Sequence, residues 1–222
     1  MRSIDSAEAY APPGSPAPAV ALSRWRPSPA RLAQLLAGLW VFGTGEALLV
    51  ASELGNSPWT VFAQGLATQT GLSVGACTIV VSVAVLCLWL PLRQSPGLGT
   101  ILNALLIGVA IDVTLELLPG GLPLGTRWAF VAGGIALVAV GSGLYLTCRL
   151  GPGPRDGLMT GLHRRTGRSL RLVRACIELS ATAAGWALGG VVGAGTVAFA
   201  LAIGPAVQFF VHGMGERDTG TL

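Results

Sequence analysis

The chain contains no lysine, and only 11% of its 222 residues carry charge. That scarcity excludes an ordinary soluble domain, in which about a quarter of the residues are charged. All fourteen basic residues are arginine, and they leave a formal net charge of +4 with a pI near 9.3. Most of them flank apolar runs instead of forming a basic face, so they read as topology signals and headgroup contacts, not as a nucleic-acid surface. Cysteine is sparse too. Cys77, Cys87, Cys148 and Cys176 lie in or at the ends of apolar segments without a C-x-x-C pair, which points away from a zinc site or redox pair and leaves them as small helix-packing residues. No G-x-x-x-x-G-K-[ST], H-E-x-x-H or G-x-S-x-G pattern occurs. No catalytic residue, metal ligand or cofactor is therefore expected, and an enzyme has little to stand on.

Apolar residues are what the chain has in excess: 52% of the total, with a mean hydropathy of +0.67. Several runs approach or exceed the roughly 18 to 20 residues that a helix needs to cross about 30 Å of hydrocarbon. Residues 1–30 are different, being rich in Pro, Ala and Ser, and are expected to form a disordered tail instead of a cleaved signal peptide. Six crossings are predicted, over about 32–52, 75–92, 98–118, 128–148, 171–192 and 195–211. Pro119, Gly120, Gly121 and Pro123 separate the first three from the last three.

The two sets repeat. "LGNSPWTVFAQGLATQTGLS", from Leu54 to Ser73, and "LGPGPRDGLMTGLHRRTGRS", from Leu150 to Ser169, share eight residues at a constant offset of 96. In the same register "GLGT" from Gly97 matches "GAGT" from Gly193, and Gly38 and Gly45 match Gly134 and Gly141. The first phrase has no basic residue, while the second holds Arg155, Arg164, Arg165 and Arg168. Three crossings return the chain to the opposite side, so the second copy should sit upside down. With the N-terminus inside, thirteen arginines then fall on the cytoplasmic side and only Arg127 outside. Inverted duplication of this kind is common among secondary transporters, whose sites lie between the repeats near the midplane.

The phrases already quoted, with "PLRQSPGLGTILNALLIGVAIDV" and "GWALGGVVGAGTVAFALAIGP", resemble bacterial membrane proteins of the YczE/YyaS/YitT type over roughly residues 31–211, "GPGPRDGLM" being the most specific part. The resemblance implies a bacterial inner-membrane protein, loosely transporter-like, with no substrate to carry over. Glu46 stands where an apolar or small residue is expected in such proteins.

Each phrase opens with a glycine and proline break followed by a short potential helix, begun by Ser57 and Pro58 in one copy and by Pro154 in the other. Such a helix can be re-entrant, dipping inward and offering free N–H groups to an anion or polar solute, with Arg155 and Asp156 at its tip. It can equally be interfacial, with Trp59 in the aromatic belt and Arg164, Arg165 and Arg168 among headgroups. Polar residues within the spans are the other candidates: Glu46, Asn103, Asp112, Glu116, Glu178 and Gln208. A carboxylate at membrane depth needs pairing, hydration or a proton. Asp112 and Glu116 share a helix face and match Gln208 and His212 in the other half. Glu116 and His212 read as helix-end residues near water, His163 as a headgroup-level residue, and Glu178 as open to pairing with a cytoplasmic arginine.

The expected architecture is all-α. It is a polytopic bacterial inner-membrane protein of six transmembrane helices, arranged as two inverted three-helix repeats over 31–126 and 127–222, with both termini cytoplasmic and a short re-entrant or interfacial helix in each repeat. The expected function is transport or channelling of a small polar solute at the repeat interface, by Asp112, Glu178, Arg155, Asp156, Asn103, Ser57, Pro58, Gly151 and Pro154. The alternative is a scaffold that moves nothing and docks a partner through its Arg-rich segment. The lipid bilayer is the expected surrounding, a homodimer is allowed, and nucleic acid is not an expected partner.

Overall fold

A computed structural model describes residues 24–215. Most of the tail predicted over 1–30, and the short C-terminal tail after residue 215, lie outside the described residues. The described chain contains eight helices: α1 Pro29–Ser52, α2 Pro58–Thr70, α3 Val74–Leu92, α4 Leu98–Leu117, α5 Leu124–Thr147, α6 Pro154–Thr166, α7 Leu170–Ala187 and α8 Ala194–Gly215. The starts of α2 and α6, α3 and α7, and α4 and α8 are each separated by the 96 residues of the sequence repeat.

Local chemistry sets the boundaries. Ser28, Ser73 and Ser169 each accept a backbone N–H of the first turn, capping α1, α3 and α7. Pro29, Pro58 and Pro154 begin their helices where a missing N–H costs nothing, and α2 and α6 both end on a left-handed glycine, Gly71 or Gly167.

Five helices, α1, α3, α4, α5 and α8, are long and apolar enough to cross a membrane, so the protein is a multi-pass membrane protein. The helix α7, expected as the fifth of six crossings, is less apolar because it contains Arg171, Arg174 and Glu178. Burial has the polarity of a membrane helix. On α4 the inward face carries small and polar residues, Asn103, Ala104, Gly108 among them, while Ile101, Leu105, Val109 and Val113 face outward. Lipid tails are as apolar as leucine, so large side chains lose nothing there and close backbone approach drives packing inside.

That close approach is clearest between α1 and α5. Gly38 lies against the Gly141 carbonyl and Gly45 against that of Gly134, leaving no room for a Cβ at any of the four. Because 38 meets 141 while 45 meets 134, the helices run antiparallel. Gln34 Nε2 donates to Leu144 O at 3.0 Å near one end, and Arg127 pairs with Glu53 at 2.8 Å near the other.

The two halves exchange equivalent contacts. Leu150 O accepts from Gly99 N at 2.9 Å, and Leu54 O accepts from Gly195 N at 2.8 Å. Gly55 and Gly151, with φ of 116° and 119°, turn the chain off α1 and α5 where only glycine is at ease, packed against Thr196 and Thr100 respectively. Likewise α2 packs on α7 and α6 on α3. Trp89 of α3 lies flat on Gly157 and donates from Nε1 to Pro154 O at 2.9 Å.

Candidate functional site

A cavity of about 290 Å³ lies where the two halves meet. Its walls come from α1 (Phe42, Glu46), α4 (Asn103, Ile107) and α5 (Ser142, Tyr145), closed by Phe199 and Gln208 of α8 and by Arg174 and Glu178 of α7. The first residues of the two short helices complete it: Ser57, Pro58 and Trp59 from α2, and Arg155, Asp156 and Met159 from α6, preceded by Gly153.

Neither short helix is capped by a side chain. Gly153 has none to offer. Ser57 turns its hydroxyl away from its own helix and donates it to Glu46 Oε2 at 2.8 Å, and Thr60 Oγ1 donates to the same oxygen at 2.8 Å. Ser28, Ser73 and Ser169 cap α1, α3 and α7 with a hydroxyl; no side chain does so for the two helices that begin at the cavity, so the positive ends of both face it.

Glu46 is the centre of the first half of the site. It is 1% exposed, and its Oε1 has no hydrogen-bond partner among the described residues. Trp59 is buried and its indole N–H is likewise unpartnered. The Arg155 guanidinium stands over the Trp59 ring, 5.3 Å from its centroid. The starts of α2 and α6 therefore touch in the interior. Arg155 makes no hydrogen bond or ion pair among the described residues, although its charge acts on Glu46, Asp156 and Glu178. In the other half Tyr145 Oη donates to Asp156 Oδ2 at 2.6 Å, and Arg174 pairs with Glu178 at 2.8 Å one turn along α7.

Of the residues singled out from sequence, Ser57, Pro58, Asn103, Arg155, Asp156 and Glu178 line this cavity together. Three do not. Asp112 lies at the start of α3, where Oδ1 accepts Gly75 N at 2.7 Å and Oδ2 accepts Ser73 Oγ at 2.5 Å, so it caps a helix. Gly151 packs on Gly97 and Thr100, and Pro154 is buried beneath Trp89. The expected pairing of Glu178 with an arginine is seen, with the partner on its own helix. Trp59 is inside the protein instead of in an aromatic belt. Trp59, Tyr145 and Ser142 are lining residues that the sequence reading did not select, and Glu46, a candidate as a polar residue within a span, was left out of the expected site. Glu46 and Ser142 are themselves a polar pair in the 96-residue register, which is the signal that could have found them.

Residues 29–212 match DUF6198, a family of unknown function, and the chain belongs to that family. An uncharacterized protein of Haemophilus influenzae is 44% identical over 192 residues, covering 86% of this chain and 88% of its own. The uncharacterized membrane protein YczE of Bacillus subtilis is 34% identical over 175 residues, 78% of this chain and 81% of its own, and the uncharacterized protein YyaS of the same organism is 28% identical over 144 residues, 63% and 72%. The YczE and YyaS part of the resemblance therefore holds, while these relatives do not carry the YitT part. No solved structure matches.

Proposed function

We propose that this protein is a bacterial inner-membrane transporter or channel for a small polar solute, with the cavity as its site. The observation that carries this reading is the meeting of two uncapped helix starts beside Glu46, Arg155 and Asp156 in the interior of a membrane protein. A charged, roomy interior is costly in such a setting, and polar groups held there mark a solute or ion pathway by default.

The proposal includes two repeats of opposite orientation. Support comes from the antiparallel packing of the equivalent helices α1 and α5. It requires α7 as a sixth crossing; its 18 residues reach about 27 Å, close to the hydrocarbon thickness, with Arg171 and Arg174 in its first turns. The short helices, 13 residues each, are about 20 Å long and cannot cross, so they enter from opposite sides as half-helices. With both termini cytoplasmic, the described arginines other than Arg127 and the cavity residues Arg155 and Arg174 stand on the inner side. Single cysteines at Gln69 and Arg165 should then react with an impermeant thiol reagent from opposite faces, in a background lacking the four native cysteines. Labelling of both from one side rules out the inversion.

Transport is tested by solute uptake into proteoliposomes. Arg155→Ala should abolish it and Asp112→Asn should leave it near wild type. The rival reading is a scaffold that docks a partner or anionic lipid through the exposed Arg164, Arg165 and Arg168. That reading gains if uptake is absent for every solute class while a triple Arg→Gln variant at those positions loses its cellular role.

A further inference from the structure

We infer that the solute taken by this cavity is a small zwitterion, of the size of a simple amino acid. Its anionic group would rest on Arg155 and the Trp59 indole N–H, and its ammonium group on Glu46. The inference rests on the reading of the cavity as a solute site and goes further by naming what enters it.

Three groups face the cavity without a hydrogen-bond partner among the described residues: the Glu46 Oε1 acceptor, the Trp59 Nε1 donor and the Arg155 guanidinium. Glu46 and Trp59 are 1% and 8% exposed, so bulk water does not satisfy them. An unmade hydrogen bond on a buried group costs about 1 to 3 kcal/mol, more when the group is charged. The other charged groups are already engaged. Glu178 is held by Arg174 and Asp156 by Tyr145.

A ligand of one sign answers only part of this set. An anion on Arg155 leaves Glu46 unanswered and brings a second negative charge toward it. A cation on Glu46 does the same to Arg155. A molecule with both ends satisfies all three groups at once, and the open N–H groups at the starts of α2 and α6 add to its anionic end. Size agrees: 290 Å³ is about ten water volumes, so room exists for roughly ten non-hydrogen atoms. The lining also includes apolar Phe42, Ile107, Phe199 and Ile203, which would receive a short aliphatic side chain.

The experiment is calorimetric titration of the purified full chain in detergent with glycine, L-alanine and L-leucine, against acetate and ethylamine as single-charge halves. At least one zwitterion should bind saturably in the millimolar range or tighter, and at least about tenfold more tightly than either half. Glu46→Gln should weaken that binding by about tenfold or more, and Trp59→Phe, which removes the indole N–H together with the five-membered ring, by several-fold. If Glu46→Gln does not fold, Trp59→Phe carries the test. The inference is overturned if no zwitterion binds the folded wild type, if acetate or ethylamine binds as well as the zwitterions, or if Trp59→Phe binds unchanged. Binding without uptake in proteoliposomes would keep the ligand class and remove transport. Uptake of some other solute with no zwitterion binding would keep transport and remove this inference.

Discussion

Two helix pairs that occupy equivalent places in the repeat, α3 with α4 and α7 with α8, have opposite fates. The first pair is zipped: Gly75 lies against the Gly108 carbonyl, Gly108 against that of Gly75, and Asp112 closes the end by holding Gly75 N. In the second pair the register puts Arg171 where Gly75 stood, Gly204 where Gly108 stood and Gln208 in place of Asp112. Arg171 is exposed, nothing approaches Gly204 among the described residues, and the two helices make no extensive contact. Gln208 and Gly204, together with Arg174 and Glu178 of α7, border the cavity instead. The closed wall thus has glycine where the open one has arginine, and a polar position kept polar in both halves is a cap in one and a lining residue in the other.

Copying the open half onto the closed one should have the largest effect. Gly75→Arg drives a long side chain into the Gly108 backbone and the Asp112 carboxylate. Overpacking of a tight contact costs about 1 to 3 kcal/mol, and with the Asp112 cap lost as well we expect about 3 kcal/mol or more. Thermal unfolding in detergent should show a large drop or no folded protein at all; a wild-type transition would mean that the glycine contact does not hold α3 to α4.

The two halves of the site invert a second feature. In the first, the long helix brings the carboxylate and the short helix the hydroxyls, Glu46 with Ser57 and Thr60. In the second, the short helix brings the carboxylate and the long helix the hydroxyl, Asp156 with Tyr145. Hydrogen bonds to charged groups are worth about 1.5 to 3 kcal/mol, towards the upper end where both partners are buried. Thr60 is 0% exposed, whereas Asp156 is open to solvent. Thr60→Val should therefore destabilise by about 2 kcal/mol and Tyr145→Phe by about 1. Equal losses in chemical denaturation would remove the distinction between a sealed half and a wet one.

Much of this was legible in the sequence because local rules suffice for it. The prolines and serines that begin helices, the glycines that end α2 and α6, and the 96-residue register that relates α2, α3 and α4 to α6, α7 and α8 place most elements. The site was legible in part. Ser57, Arg155 and Asp156 follow from the expectation that the repeated break marks the helix starts. Glu46 does not, since its partners come from α2, and the pairing exists only once the start of that helix has folded back into the interior. Asp112 is the opposite case, expected in the site and placed outside the cavity. Its register partner Gln208 does line the cavity, but the hold of Asp112 on Gly75 depends on how closely α3 and α4 approach, which one polar residue on one helix does not reveal.

Asp112 offers the next smaller test of the comparison. Asparagine keeps one acceptor and loses the charge, so Asp112→Asn should cost about 1 kcal/mol, the usual worth of a helix cap, and leave solute binding unchanged. A loss of binding at constant stability would move Asp112 into the site after all.

The smallest effect belongs to the open wall itself. At Gly108 an added methyl group strikes the Gly75 carbonyl, whereas at Gly204 no atom of the described residues lies within 4 Å of where it would sit. A helical glycine exchanged for alanine with no clash gains up to about 1 kcal/mol from reduced chain freedom in water, less where the membrane already favours the helix. Gly204→Ala should accordingly shift the unfolding transition by no more than about 0.5 kcal/mol, in the stabilising direction, while Gly108→Ala destabilises by about 1 to 3 kcal/mol. The pair of variants differs only in which copy of the repeat receives the methyl group. If both lose stability alike, then α8 meets a neighbour at Gly204 in the folded protein, either α7 in a closed state or another chain, and the open wall is one position of a moving part.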